Sequence, residues 1–65
     1  MEIGQSIQEA RKKAKLTQKE LAEKVGIATI TVQQYERGVR TPKIETLQKI
    51  AQALNIDVGV LYGVE

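Results

Sequence analysis

The residue types in this chain suit hydrogen bonding and charge neutralisation better than catalysis. The 65-residue sequence contains no histidine and no cysteine, so it lacks the usual general base, the commonest metal ligand and any thiolate. It also has no clustered acid pair and no glycine-rich phosphate loop. We therefore expect a binding protein rather than an enzyme, with no metal and no cofactor.

The charges are unevenly distributed along the chain. Residues 1–25 carry six Lys or Arg and four Glu, and residues 26–43 carry three basic residues and one Glu, so each segment has a balance of +2. Residues 44–65 carry one Lys against three acidic residues, a balance of −2. This division suggests that one side of the molecule faces a polyanion while another side does other work.

The length limits the chain to one small domain, residues 1–65, whose core usually supplies only ~3–5 kcal/mol. No apolar run approaches the ~18 residues of a membrane span, and Met1 is followed by no signal peptide. These features predict a cytoplasmic protein that makes no membrane contact.

Apolar residues recur at helical spacing in several segments. One stripe holds Ile3, Ile7, Ala10 and Ala14, and another holds Ile44, Leu47, Ile50, Ala51 and Leu54. The pattern predicts helices at about residues 3–14, 17–24, 28–36, 44–54 and 58–62. Their ends carry recognisable signals: Thr17 and Glu20 are spaced as a capping box, and Gly26 is typical of a left-handed helix end. The expected class is all-α.

Residues 25–32, VGIATITV, are locally ambiguous because β-branched residues favour strands. As a helix, this segment places Ala28, Val32 and Tyr35 on one inner face. The opposite face then holds Ile30, Gln33, Gln34 and Arg37. As a strand it would have no partner within the chain, and its backbone would be unsatisfied. The helical interpretation is favoured.

Helices 2 and 3 and the turn between them have the spacing of a helix-turn-helix. Ala22 is small where helix 3 must cross close to helix 2, and Gly26 allows the turn. Val32 and Tyr35 anchor helix 3 against the core. The outer face of helix 3 is then free to lie in the major groove of DNA.

Three motifs in register carry a family resemblance. They are L-T-Q-x-E-L-A at residues 16–22, Y-E-R-G at 35–38 and T-L-x-K-I-A-x-A-L at 46–54. Over roughly residues 4–63 the chain resembles the lambda-repressor-like, Cro/C1-type helix-turn-helix DNA-binding family. The resemblance implies a compact five-helix domain from a bacterium or phage. It also implies a nucleoid-associated transcriptional regulator, a repressor that binds a palindromic operator in double-stranded DNA as a homodimer.

The resemblance also implies which residues touch DNA. Base contacts are expected from Thr29, Ile30 and Gln34. Phosphate contacts are expected from Gln18, Thr31, Gln33, Arg37, Arg40 and Lys43. The chemistry agrees, because a glutamine amide matches adenine N6 and N7 and isoleucine methyls suit a thymine methyl. The basic residues would add salt-dependent attraction that is independent of sequence.

The resemblance assigns structural roles as well. Arg11 and Glu36 match a pair that forms a buried ion pair between helices 1 and 3 in some members. Ala28 stands where many members carry a capping Ser or Thr, so helix 3 should begin with a weaker cap or use Thr29 instead.

The last predicted helix bears on self-association. Gly59 lies inside that helix, where a longer side chain is more usual, and should weaken it. A dimer contact through this helix would use Val58, Leu61 and Tyr62.

Two alternatives share the same scaffold. One is an antitoxin or other protein-interaction module that binds DNA secondarily. The other is the DNA-binding part of a longer repressor.

Overall fold

The computed structural model describes residues 3–62, which form helices in the predicted order. They are α1 (Ile3–Lys13), α2 (Gln18–Val25), α3 (Thr29–Arg37), α4 (Ile44–Leu54) and α5 (Val58–Leu61). No strand occurs within the described range, so the all-α, five-helix prediction is confirmed. The expected domain also includes residues 1–2 and 63–65, which lie outside the described residues.

The ambiguous segment VGIATITV is helical on both sides of a turn. Helix α2 ends at Val25, and Gly26 adopts a left-handed conformation with φ 83° and ψ 32°. The N–H groups of Gly26 and Ile27 both donate to the carbonyl oxygen of Ala22, at 2.8 and 3.0 Å. Helix α3 then begins at Thr29, so the helical interpretation is confirmed.

Every helix contributes to a single buried cluster. Its fully buried large side chains are Ile7, Leu21, Val32, Leu47, Ile50 and Leu61. Helix α3 packs against both α1 and α2, while α4 packs against α2 and α5. Since α3 is covered on its inner side by two other helices, its opposite side faces solvent.

Three residues that were predicted to be on apolar inner faces are exposed instead. Ala14 follows the end of α1, Ala28 is the N-cap of α3, and Ile44, which is 63% exposed, is the first residue of α4. All three lie at or just beyond a helix end. Helical periodicity predicts burial only where neighbouring turns of the helix pack against the core. At the helix ends the predicted burial of these three residues was therefore wrong.

Helix α1 crosses α3 at Gly4, a position that no pattern in the sequence indicates. A Cβ built on Gly4 would lie closer than 3.0 Å to the carbonyl oxygen of Tyr35 and 3.0 Å from that of Glu36. Only a residue without a side chain allows the two backbones to approach so closely. Gly4 therefore sets the distance between α1 and the last turn of α3.

The C-terminal helix is short and partly apolar outside. Leu61 is fully buried, so its assignment to a dimer contact was wrong, because its side chain completes the core. Val58 is half-buried, whereas Val60 and Tyr62 are exposed. Within residues 3–62, no helix has both the length and the hydrophobicity to cross a lipid bilayer.

Candidate functional site

The first turn of α2 is fixed by a reciprocal capping box. The Thr17 hydroxyl accepts a hydrogen bond from the N–H of Glu20 at 3.0 Å, and the Glu20 carboxylate accepts one from the N–H of Thr17 at 2.8 Å. The bond from the Thr17 backbone, together with the weaker effect of the Thr17 side chain, lowers the pKa of Glu20. The box holds Gln18, the first residue of α2, in a defined place.

A buried ion pair ties α1 to α3. The Arg11 Nε donates to Glu36 Oε2 at 2.6 Å, and its Nη2 donates to Oε1 at 3.2 Å. The Arg11 Nη1 donates to the carbonyl oxygen of Leu16 at 2.8 Å. The side chains of Arg11 and Glu36 are only 10% and 2% exposed. A pair this well hydrogen-bonded tolerates burial, but removing one partner would strand a buried charge at a cost of ~3–5 kcal/mol.

Gln18 belongs to the same cluster, and its contact with Glu36 was not predicted from the sequence. Its Nε2 donates to Glu36 Oε1 at 3.0 Å, across 18 positions of sequence. The capping signal placed Gln18 at the start of α2, and the family resemblance placed Glu36 beside Arg11. No local pattern relates the two positions, because their contact depends on how α2 and α3 cross.

The outward face of α3 carries the residues that were expected to read bases. Ile30 is 56% exposed, and Thr29 and Gln34 are half-buried. Val32 and Tyr35, by contrast, are buried in the core. The helical spacing of residues 29, 30, 33, 34 and 37 puts them on one side of α3, with Thr31 on its flank. This side presents methyl groups, hydroxyls and amides together.

Helix α3 begins without a side-chain cap. Ala28 has an extended N-cap conformation, φ −74° and ψ 147°, but it offers no oxygen to the first N–H groups of the helix. Thr29 is already the first helical residue and does not replace it. Of the two expectations for this end, the weaker cap is the one observed.

The segment after α3 folds back onto the helix. The carbonyl oxygen of Gln34 accepts from the N–H groups of Val39 at 3.0 Å and Arg40 at 3.2 Å. Gly38, with φ 77° and ψ 10°, makes this reversal possible. The loop leading to α4 is therefore anchored to the same turn of α3 that carries the Gln34 side chain.

Three basic residues extend the surface of α3 into this loop. Arg37, Arg40 and Lys43 are all exposed, and none of them forms an ion pair within residues 3–62. Their charges are therefore not neutralised by neighbouring carboxylates in the described part of the chain. Three exposed positive charges close in sequence attract polyanions to this part of the surface.

Comparisons with known proteins agree with this architecture. The helix-turn-helix family model matches residues 7–61. The HTH-type transcriptional regulator ImmR of Bacillus subtilis (strain 168) is 41% identical over 63 residues, which make up 97% of this chain and 50% of ImmR. The chain spans about half the length of the curated relatives it matches.

Solved structures extend the comparison to three dimensions. The DNA-binding domain of the P22 c2 repressor, determined in solution, superposes with a TM-score of 0.91 and 31% identity, covering 95% of this chain and 82% of that one. SinR, the master regulator for biofilm formation, solved in complex with DNA, gives a TM-score of 0.87 and 38% identity, covering 92% of this chain and 97% of that one. The chain belongs to the helix-turn-helix family, in its Cro/C1-type, lambda-repressor-like branch.

Proposed function

We propose that this protein binds double-stranded DNA in a sequence-specific manner and represses transcription from a palindromic operator. The observation that carries the proposal is the outward face of α3, which continues into three exposed basic residues on a fold shared with SinR bound to DNA. The family and fold are those of regulators rather than enzymes. In this arrangement α3 lies in the major groove and the rest of the domain holds it there.

Three residues of α3 read the bases in this proposal. Gln34 donates to and accepts from adenine, and Thr29 offers a hydroxyl and a methyl group to a base edge. Ile30 cannot hydrogen-bond, and its 56% exposure leaves apolar surface in water in the free protein. Contact with a thymine methyl would bury that surface, so the operator should contain a T opposite Ile30.

The residues around α3 bind the backbone. The phosphate contacts are assigned to Gln18, Thr31, Gln33, Arg37, Arg40 and Lys43. Gln18 lies in the first turn of α2, where N–H groups left over by the capping box favour an anion. Such contacts set the register of α3 but do not discriminate between sequences.

A palindromic operator calls for two copies related by a two-fold axis. We assign the dimer contact to the C-terminal helix, through Val58 and Tyr62 together with the exposed Val60. The dimer would form at least on DNA, with the protein in the cytoplasm and associated with the nucleoid. Sedimentation with and without operator DNA tests whether the protein binds as a dimer. A complex of one protein molecule on a full palindrome would contradict the proposed dimer.

Sequence-specific binding is tested with a palindrome selected from random DNA. Affinities for this palindrome and for unrelated DNA are measured over a salt series. We expect Gln34→Ala to weaken operator binding by ~1–3 kcal/mol and to leave binding to unrelated DNA unchanged, whereas Arg40→Ala weakens both. Equal affinity for the two DNAs, or no dependence on salt, would exclude the proposed function.

The share of the relatives' length that this chain covers supports a second candidate function. Since the chain matches about half of ImmR, it fits the DNA-binding part of a longer repressor. An immunoblot of the native host, which reports the mass of the expressed protein, distinguishes this from a regulator of 65 residues.

A further inference from the structure

The buried carboxylate of Glu36 accepts hydrogen bonds from two side chains, although Arg11 alone neutralises its charge. Arg11 neutralises it and supplies two hydrogen bonds, and the amide of Gln18 adds a third at 3.0 Å. This third bond is not what joins the helices, because the ion pair already links α1 to α3 and the packing of the core joins α2 to α3. The Gln18 contact therefore needs another explanation.

The chemistry of the two groups fixes the orientation of the Gln18 side chain. An ionised carboxylate only accepts hydrogen bonds, so the NH₂ end of the amide must face Glu36 and the oxygen must turn away. One Nε2 hydrogen is used by Glu36, and the second has no partner among residues 3–62. A glutamine side chain in water samples many rotamers, and holding it in one beforehand removes an entropic cost of binding.

The charges around Gln18 also fit the approach of an anion. A bare carboxylate near a phosphate would repel it, but Arg11 lies 2.6 Å from Glu36 and cancels its charge. Gln18 is neutral and stands at the half-exposed edge of this neutralised pair. Its second hydrogen can then serve a phosphate oxygen without repulsion from the Glu36 carboxylate.

We propose that Glu36 is a positioning residue for DNA binding, which presets the Gln18 amide so that its remaining N–H meets a backbone phosphate. This inference rests on the proposed function, because it assumes that Gln18 faces DNA. It assigns the buried ion pair a role beyond stability, since the pair supplies a carboxylate that holds Gln18 without repelling phosphate.

The test compares the effect of Gln18→Ala in two backgrounds. One background is the wild-type protein, and the other is the double variant Arg11→Met/Glu36→Leu, which replaces the ion pair by apolar residues of similar size, an exchange that folded proteins often tolerate. In the wild-type background we expect operator affinity to fall about 10-fold, the effect of losing one charge-assisted hydrogen bond. In the double variant, where Gln18 is no longer held, the loss should be less than about 2-fold.

Arg40→Ala is the matched control, because Arg40 is assigned to phosphate but forms no hydrogen bond or ion pair with Glu36. Its loss of affinity should be the same in both backgrounds. Equal losses for Gln18→Ala in the two backgrounds, or no loss in the wild-type background, would overturn the positioning role. Failure of the proposed function is read separately, from the ratio of operator to unrelated DNA affinity of the wild-type protein.

A measurement on the free protein keeps the test independent of how well the double variant folds. The side-chain NH₂ of Gln18 is followed by ¹H–¹⁵N NMR relaxation without DNA. We expect a restricted amide in the wild-type protein and free rotation once Glu36 is replaced. A freely rotating Gln18 amide in the wild-type protein would overturn the proposal.

Discussion

Replacing Gly4 with alanine should lower the stability of the domain, although alanine is the better helix former. The added Cβ would lie inside 3.0 Å of the Tyr35 carbonyl oxygen and 3.0 Å from that of Glu36, and both neighbours are backbone atoms that cannot rotate away. Helices α1 and α3 would have to separate. Overpacking of this kind costs ~1–3 kcal/mol, and the higher helix propensity of alanine returns at most ~1 kcal/mol.

Because the new Cβ meets two backbone oxygens, the cost should lie in the upper part of that range, ~2–3 kcal/mol. After subtraction of the ~1 kcal/mol gained in helix propensity, we expect Gly4→Ala to lower the free energy of unfolding by ~1–2 kcal/mol, out of the ~3–5 kcal/mol usual for a core of this size. The midpoint of thermal unfolding, followed by circular dichroism, should fall by about 5–15 °C.

The matched control is Gly59→Ala in α5. There the new Cβ would meet only a carboxylate oxygen of Asp57 at 3.5 Å, an ordinary contact. That variant should gain up to ~1 kcal/mol from helix propensity, and its midpoint should rise. A Gly4→Ala protein as stable as the wild type, or equal losses in both variants, would refute the argument for a close crossing at Gly4.

Three further predictions follow from the helix ends and the core. Because the Thr17 hydrogen bonds lower the pKa of Glu20, its carboxylate stabilises the fold at neutral pH and loses that effect as the pH falls from 4.5 through the lowered pKa. Acid titration of stability should therefore be flatter for Glu20→Gln than for the wild type. Ala28→Ser should add the missing N-cap of α3 and stabilise the protein by ~0.5–2 kcal/mol in urea denaturation, and a variant no more stable than the wild type would contradict this. Leu61→Ala should cost ~2–5 kcal/mol in the same assay, since Leu61 is fully buried, whereas a loss below ~0.5 kcal/mol would place it outside the core.

The parts of the fold that depend on local chemistry were predictable from the sequence. The capping box at Thr17 and the left-handed Gly26 follow from residues within a few positions of each other. The helical state of VGIATITV needed one further argument, that a strand would have no partner in the chain. These features carry the helix-turn-helix, whereas the family was predicted from the resemblance of three motifs in register.

What could not be predicted depends on how helices cross. Nothing near Gly4 in the sequence indicates that α3 approaches it, and a glycine inside a helix usually only lowers the stability of that helix. The contact between Gln18 and Glu36 likewise joins two helices at a distance set by the core. Residue-level DNA contacts remain predictions for a further reason, because they depend on the DNA as much as on the protein.

The carbonyl oxygen of Gln34 holds the loop after α3, while its side chain points to the proposed base-reading face. The two tasks use different parts of one residue, and only the side chain is altered by substitution. Position 34 can therefore change its amino acid while the loop with Arg40 keeps its attachment. If Gln34 reads a base as proposed, a substitution there would change the DNA sequence that is bound while the main-chain bonds that hold the loop stay in place.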